Sequence, residues 1–227
     1  MSPSNRTMLA IAGAAVAAAS ANAEFTGWIA SARAVAGTNL TIVDVYAGFN
    51  QSTDLLLNVF NMNIGVNAAQ FVQSTNAGEQ AWRPLDGVSN SASLDSFMSI
   101  GGYVDGEFRY ASSTTAGDPS FTNWTTAGAT TIPDGAGWYN SNPLSLDVIA
   151  GTLAGTPGFP AGSRDPRSAN GQYGTWVAHL VVNKALTNAS WSISFTGFAS
   201  FNDGAYNADA RMFHVIVPAP GAAALLA

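Results

Sequence analysis

Between Ser190 and Thr196, Trp191, Ile193 and Phe195 alternate with Ser190, Ser192, Ser194 and Thr196. A period of two is that of a strand with one face in a core and the other in water, and the rest of the chain reads as further strands packed on that face. Phe25 to Val35 and Leu40 to Phe49 form the first two, with Gly37-Thr38-Asn39 as turn chemistry between them. The second is rich in β-branched and aromatic residues, which strands prefer. Leu55 to Val66 continues the series, with Leu55, Leu57 and Val59 expected on one face, and the asparagines at 58, 61 and 63 argue against a helix.

Asp86-Gly87 marks a turn after a polar stretch from Gln73 to Trp82. Leu94 to Val104 then runs into Asp105-Gly106, and Glu107 to Ala111 returns; Asp-Gly between two apolar runs specifies a hairpin. Tyr173 to Asn183 places Trp176, Ala178, Leu180 and Val182 on one expected face, and Lys184 to Ala189 turns the chain into Ser190 to Phe201, so these two strands are expected to pair as an antiparallel hairpin. Asn202-Asp203-Gly204 turns it again, and Arg211 to Val217 gives a last strand. Many short strands, Asp-Gly turns and no helical period predict an all-β fold, a single β-sandwich of jelly-roll type over residues 24–217.

One stretch departs from this texture. Ser112 to Gly171 holds six of the ten prolines, and only Leu144 to Ala150 has a regular pattern. A connection this long in a compact domain is a functional or mobile loop. It carries Trp124, Trp138 and Tyr139, and with Asn140 and Asn142 these form a candidate sugar-binding platform: a pyranose face stacks on a flat ring while amides bond its hydroxyls. The competing reading has the same rings pinning the loop onto the sandwich, since large aromatics are mostly buried.

Composition changes the picture in three ways. The formal charge is −6, which disfavours a nucleic-acid partner. The chain has no cysteine, so disulfides and thiolate zinc sites are excluded and the core alone must hold the fold. The first 23 residues read as a secretory signal, with Arg6 in the n-region, an apolar run from Met8 to Ala19, and Ala21-Asn22-Ala23 as the cleavage site, giving a mature start at Glu24. That run is short of the ~20 residues that span a bilayer, so no stable membrane span is expected.

Candidate chemistry is sparse. Asp105 and Glu107 would sit close enough for a carboxylate pair of the glycosidase kind, although a turn Asp and a strand Glu beside Arg109 need no further role. Asn202, Asp203, Asn207 and Asp209 offer oxygens for calcium without EF-hand spacing. His179 and His214 stand singly inside strands, and Lys184, the only lysine, lies in a turn. Nucleophile-elbow and phosphate-loop motifs are lacking.

The C-terminal residues Val217, Pro218, Pro220 and Gly221, followed by an apolar run, resemble the start of a PEP-CTERM sorting signal, with Ala219 where a Glu is usual. Ser96 to Gly102 and Gly137 to Pro143 are also similar to members of that group. The resemblance implies an exported protein of a Gram-negative bacterium that makes exopolysaccharide, handled by an exosortase during export. Only six apolar residues and no arginine follow Gly221, so residues 218–227 are expected to be a partial sorting tail. The expected function is a non-enzymatic protein of the cell surface or extracellular matrix, with a carbohydrate-binding module as the alternative and a glycan-active enzyme third.

Overall fold

A computed structural model of the chain describes residues 24–51, 53–73, 82, 93–104, 107–109, 114–118, 130–132, 134–140, 151–152, 173–188, 190–202 and 209–218. Eleven strands are present among them: β1 (Phe25–Ala34), β2 (Thr41–Phe49), β3 (Leu55–Asn67), β4 (Phe97–Val104), β5 (Glu107–Arg109), β6 (Thr114–Asp118), β7 (Ala136–Asn140), β8 (Gly151–Thr152), β9 (Tyr173–Val182), β10 (Ser192–Asn202) and β11 (Asp209–Pro218). They form two antiparallel sheets. One runs β1-β2-β9-β4-β5 with β8 also on β9, and the other runs β11-β10-β3-β7-β6. No helix occurs among the described residues. The all-β sandwich expected from the alternation is the observed architecture.

The core lies between the sheets. Val43, Val45, Ala47 and Phe49 of β2 face Ile193, Phe195, Ala199 and Phe201 of β10 across it, all buried. Aromatic rings join the sheets at one edge: Phe49 meets Phe201 edge-on at 5.6 Å, and Phe25 lies 6.1 Å from Phe201. Such pairs add to the area they bury because ring edges and faces carry opposite partial charge. β10 keeps the expected phase, with Trp191, Ile193 and Phe195 inward and Ser192, Ser194 and Thr196 outward or half-buried.

Bulges break the simple period elsewhere. In β3 the buried positions are Leu56, Val59, Met62, Ile64 and Val66, while Leu55 and Leu57 are only half-buried, which corrects the expected face. The cause is two register shifts against β10, one at Leu57 and one at Asn61. Each extra residue swaps the faces of the strand. Asn61 takes the left-handed conformation at φ 49, which asparagine tolerates better than branched residues. Opposite that bulge stands Gly197, where an added Cβ would meet Met62 Sδ at 2.1 Å, so the sheet closes there only over a glycine.

A similar shift corrects β9. Val45 pairs with Ala178 but Tyr46 pairs with Trp176, leaving Val177 as the extra residue. Ala178, Leu180 and Val182 therefore face the main core, whereas Trp176 joins Ile29, Tyr46 and Phe97 in a second buried cluster on the opposite face. The expected β9–β10 hairpin is also not formed. β9 is already flanked by β2 and β4, and β10 by β3 and β11, so the turn from Lys184 onward carries the chain from one sheet to the other.

Two other expected hairpins are formed, while Asp86 and Gly87 lie outside the described residues. Val104 pairs with Glu107 across residues 105–106, and β1 pairs with β2 from Phe25↔Phe49 to Ala34↔Thr41. Most of the Pro-rich stretch 112–171 lies outside the described residues, as do residues 1–23, expected to be a secretory signal.

Candidate functional site

β2 places one acid in the middle of an apolar strand. Asp44 is fully buried on the face of its sheet away from the main core, and sheet register brings three donors to it. His179 is its direct partner on β9, and His179 Nδ1 lies 2.6 Å from Asp44 Oδ1. Trp176 Nε1 donates to the same oxygen at 3.2 Å, and the Arg33 guanidinium on β1 pairs with Oδ2. Burial of a carboxylate is tolerable only when it is paired and hydrogen-bonded in this way.

The far side of His179 is fixed as well. Its Nε2 is 2.9 Å from the Ser93 carbonyl oxygen; a carbonyl only accepts, so Nε2 carries a hydrogen. One further proton lies in the Nδ1···Oδ1 contact. Phe97 stacks on the imidazole at 4.8 Å with 21° between planes, and Trp176 meets it edge-on at 5.7 Å. The group has the Asp–His half of a hydrolase triad, yet Nε2, the atom that would take a proton from a nucleophile, is spent on a backbone carbonyl. Chemically it is a clamp joining β1, β2, β9 and the segment before β4.

A second clamp lies beside it. Gln73 Nε2 donates to the Ser96 carbonyl at 2.7 Å, and Gln73 Oε1 accepts from the Trp82 backbone N–H at 3.0 Å. Both ends of a buried amide are thereby satisfied.

Of the sequence-derived platform, Trp138 is 1% exposed, part of the main core, and donates from Nε1 to the Ser99 carbonyl of β4 at 2.9 Å. It is therefore not a sugar-stacking ring, which corrects that assignment: β7 alternates, so adjacent Trp138 and Tyr139 point to opposite faces. Tyr139 is 46% exposed. Asn140 ends β7, and Trp124 and Asn142 lie outside the described residues. Asp209 opens β11 opposite Phe201, while Asp203 and Asn207 lie outside the described residues. Among the described residues no three His, Asp or Glu side chains are grouped to hold a metal, and no helix is long and apolar enough to cross a membrane. Glu107 pairs with Val104 in β5, and Asp105 lies outside the described residues. Of the residues that resemble a sorting motif, Val217 pairs with Ile193 and Pro218 with Ser192 at the end of β11; Pro220 and Gly221 lie outside the described residues, as do Ala21 and Ala23 of the expected cleavage site.

Sequence reasoning missed one open feature. A groove of about 420 Å³ is lined by Ala68, Ala69, Gln70, Thr130, Asn183 and Lys184, where the chain leaves β3 and β9 at one end of the sandwich. Its walls are tied by a reciprocal pair: the Asn183 backbone N–H donates to the Gln70 carbonyl at 3.0 Å, and the Gln70 N–H donates to Asn183 Oδ1 at 2.8 Å. The Lys184 carbonyl accepts from Thr41 Oγ1 at 2.6 Å. The signal available in the sequence was the solitary lysine in a turn. No protein-family model matches this chain, and no curated protein matches it in sequence.

Proposed function

We propose that this chain is an exported, non-enzymatic protein of the cell surface or exopolysaccharide matrix of a Gram-negative bacterium, carrying a PEP-CTERM-like motif at Val217, Pro218, Pro220 and Gly221. The observation that carries the non-enzymatic reading is the internal spending of acid–base groups: Arg33, Asp44 and His179 bond one another, Trp176 and a backbone carbonyl. A general base needs a nitrogen or oxygen within reach of substrate, and His179 Nε2 is committed elsewhere. The leader pattern and the Val217, Pro218, Pro220, Gly221 motif support export and sorting.

Two measurements test this. Incubation of the exported chain with a panel of glycans and esters is expected to give no product; turnover proportional to protein concentration overturns the reading. N-terminal sequencing of the exported form is expected to begin at Glu24. Carbohydrate binding is the second reading, and the open groove at Lys184, not Trp138, favours it.

A further inference from the structure

We infer that the groove between Gln70 and Lys184 binds the carboxylate of an acidic sugar unit, a uronate of an extracellular polysaccharide; this rests on the matrix reading above. The inference comes from which hydrogen-bonding atoms the groove leaves over. The Gln70 backbone N–H needs an acceptor and takes Asn183 Oδ1, which fixes the orientation of that amide. Asn183 Nδ2 then faces Gln70 Oε1, at 3.4 Å, and this in turn directs the two hydrogens of Gln70 Nε2 away from the pair. Each step follows from the one before.

Two donors on the lining residues are left without a described partner. Gln70 Nε2 has no acceptor among the described residues, and the Lys184 ammonium has no described carboxylate beside it. Thr130 adds a hydroxyl, which donates or accepts, and the rest of the lining is mainly apolar, with Ala68 and Ala69 in it. Among the described residues no acid lines the groove, in a chain with 14 acids against 8 basic residues. An acceptor-only anion fits such a set, because a carboxylate takes several N–H bonds and bonds to an ammonium are charge-assisted. The volume lies within the roughly 300–1,000 Å³ usual for small-ligand sites. The groove is also rigid where it matters, since the backbone at 183 and 184 is held by Gln70 and Thr41.

The test is calorimetric titration of the exported chain with three trisaccharides: a 4-linked uronate, its carboxyl-reduced neutral counterpart, and a sulfated hexose of the same length. The uronate is expected to bind, to weaken with added salt, and to lose about tenfold or more on Lys184→Met or Gln70→Glu, the scale of a lost charge-assisted hydrogen bond. Gln70 is exposed and Lys184 half-buried, and unchanged melting temperatures would establish that both variants fold. Equal binding of the uronate and neutral sugars, or an unaltered affinity in Lys184→Met, overturns the groove assignment while leaving the matrix reading in place. Preference for the sulfated sugar overturns the carboxylate. Failure of all three, together with failure of the chain to be retained on whole acidic exopolysaccharide, removes both.

Discussion

Replacing Asp44 by alanine would remove one acceptor from three donors at once, and the structure allows the cost to be divided. Trp176 Nε1 is buried and would lose its carboxylate; an orphaned buried donor costs about 1–3 kcal/mol. His179 would keep its Nε2–H bond to Ser93 but leave Nδ1 without its partner at 2.6 Å, a loss of the same order, about 1–3 kcal/mol. Arg33 contributes least, because its side chain is 23% exposed and can turn to water. The sum, about 2–6 kcal/mol, brackets the roughly 3–5 kcal/mol usual for breaking a buried ion pair from one side. Against a total stability of about 5–15 kcal/mol it is a large fraction. Urea unfolding followed by tryptophan fluorescence reads it as a lower midpoint at constant slope. Asp44→Asn, which keeps one oxygen, should fall between. A loss under about 1 kcal/mol for Asp44→Ala would refute the view that this carboxylate organises the cluster. Equal double-mutant coupling of Asp44 to Arg33 and to His179 would refute the ranking that puts Arg33 last.

Two further outcomes bear on the fold. Gly197→Ala would drive a methyl into Met62 Sδ at 2.1 Å, and overpacking of this kind should cost about 1–3 kcal/mol, read as a drop of several degrees in melting temperature; an unchanged melting curve would contradict the tight closure over the Asn61 bulge. Trp138→Phe removes a core volume and the bond to Ser99, and should cost about 2–3 kcal/mol, whereas Tyr139→Ala should cost less than about 1 kcal/mol. The reverse order in chemical denaturation would restore Trp138 as an exposed ring.

Much of the sandwich was legible in the sequence because alternation is a local property. β10 has the clearest pattern and keeps it, and the hairpin around residues 105–106 follows from Asp-Gly alone. Faces went astray where one residue was added, at Leu57, Asn61 and Val177, since nothing in residue type announces a bulge and each one inverts the positions beyond it. Pairing of β9 with β10 failed for a different reason: short turns join neighbours in space, but both edges of each strand were already taken, those of β9 by β2 and β4 and those of β10 by β3 and β11.

The Asp44 cluster was invisible for that same non-local reason. Arg33, Asp44 and His179 come from three strands, and only register unites them. A trace was present all the same, because a lone acid between Val43 and Val45 in an otherwise apolar strand is a buried polar residue in waiting. The groove was less legible still. Its donors follow from the order in which two amides satisfy a backbone N–H, which is decided by folded geometry and not by residue type.

The row Asn67–Ser192–Pro218 has a mechanical consequence. Ala68 to Gln70, one wall of the groove, continue directly from Asn67, and residues beyond Pro218 continue from the other end of the same row. Tension between a ligand held in the groove and the segment after Pro218 would run across the ends of β3, β10 and β11, a path three strands wide. Most of the core between the sheets would carry none of it. A load applied there would peel β11 from its Ser192 end, opening backbone bonds in succession instead of all together, so yielding would be gradual and confined to one corner while the Asp44 clamp on the other sheet stayed intact.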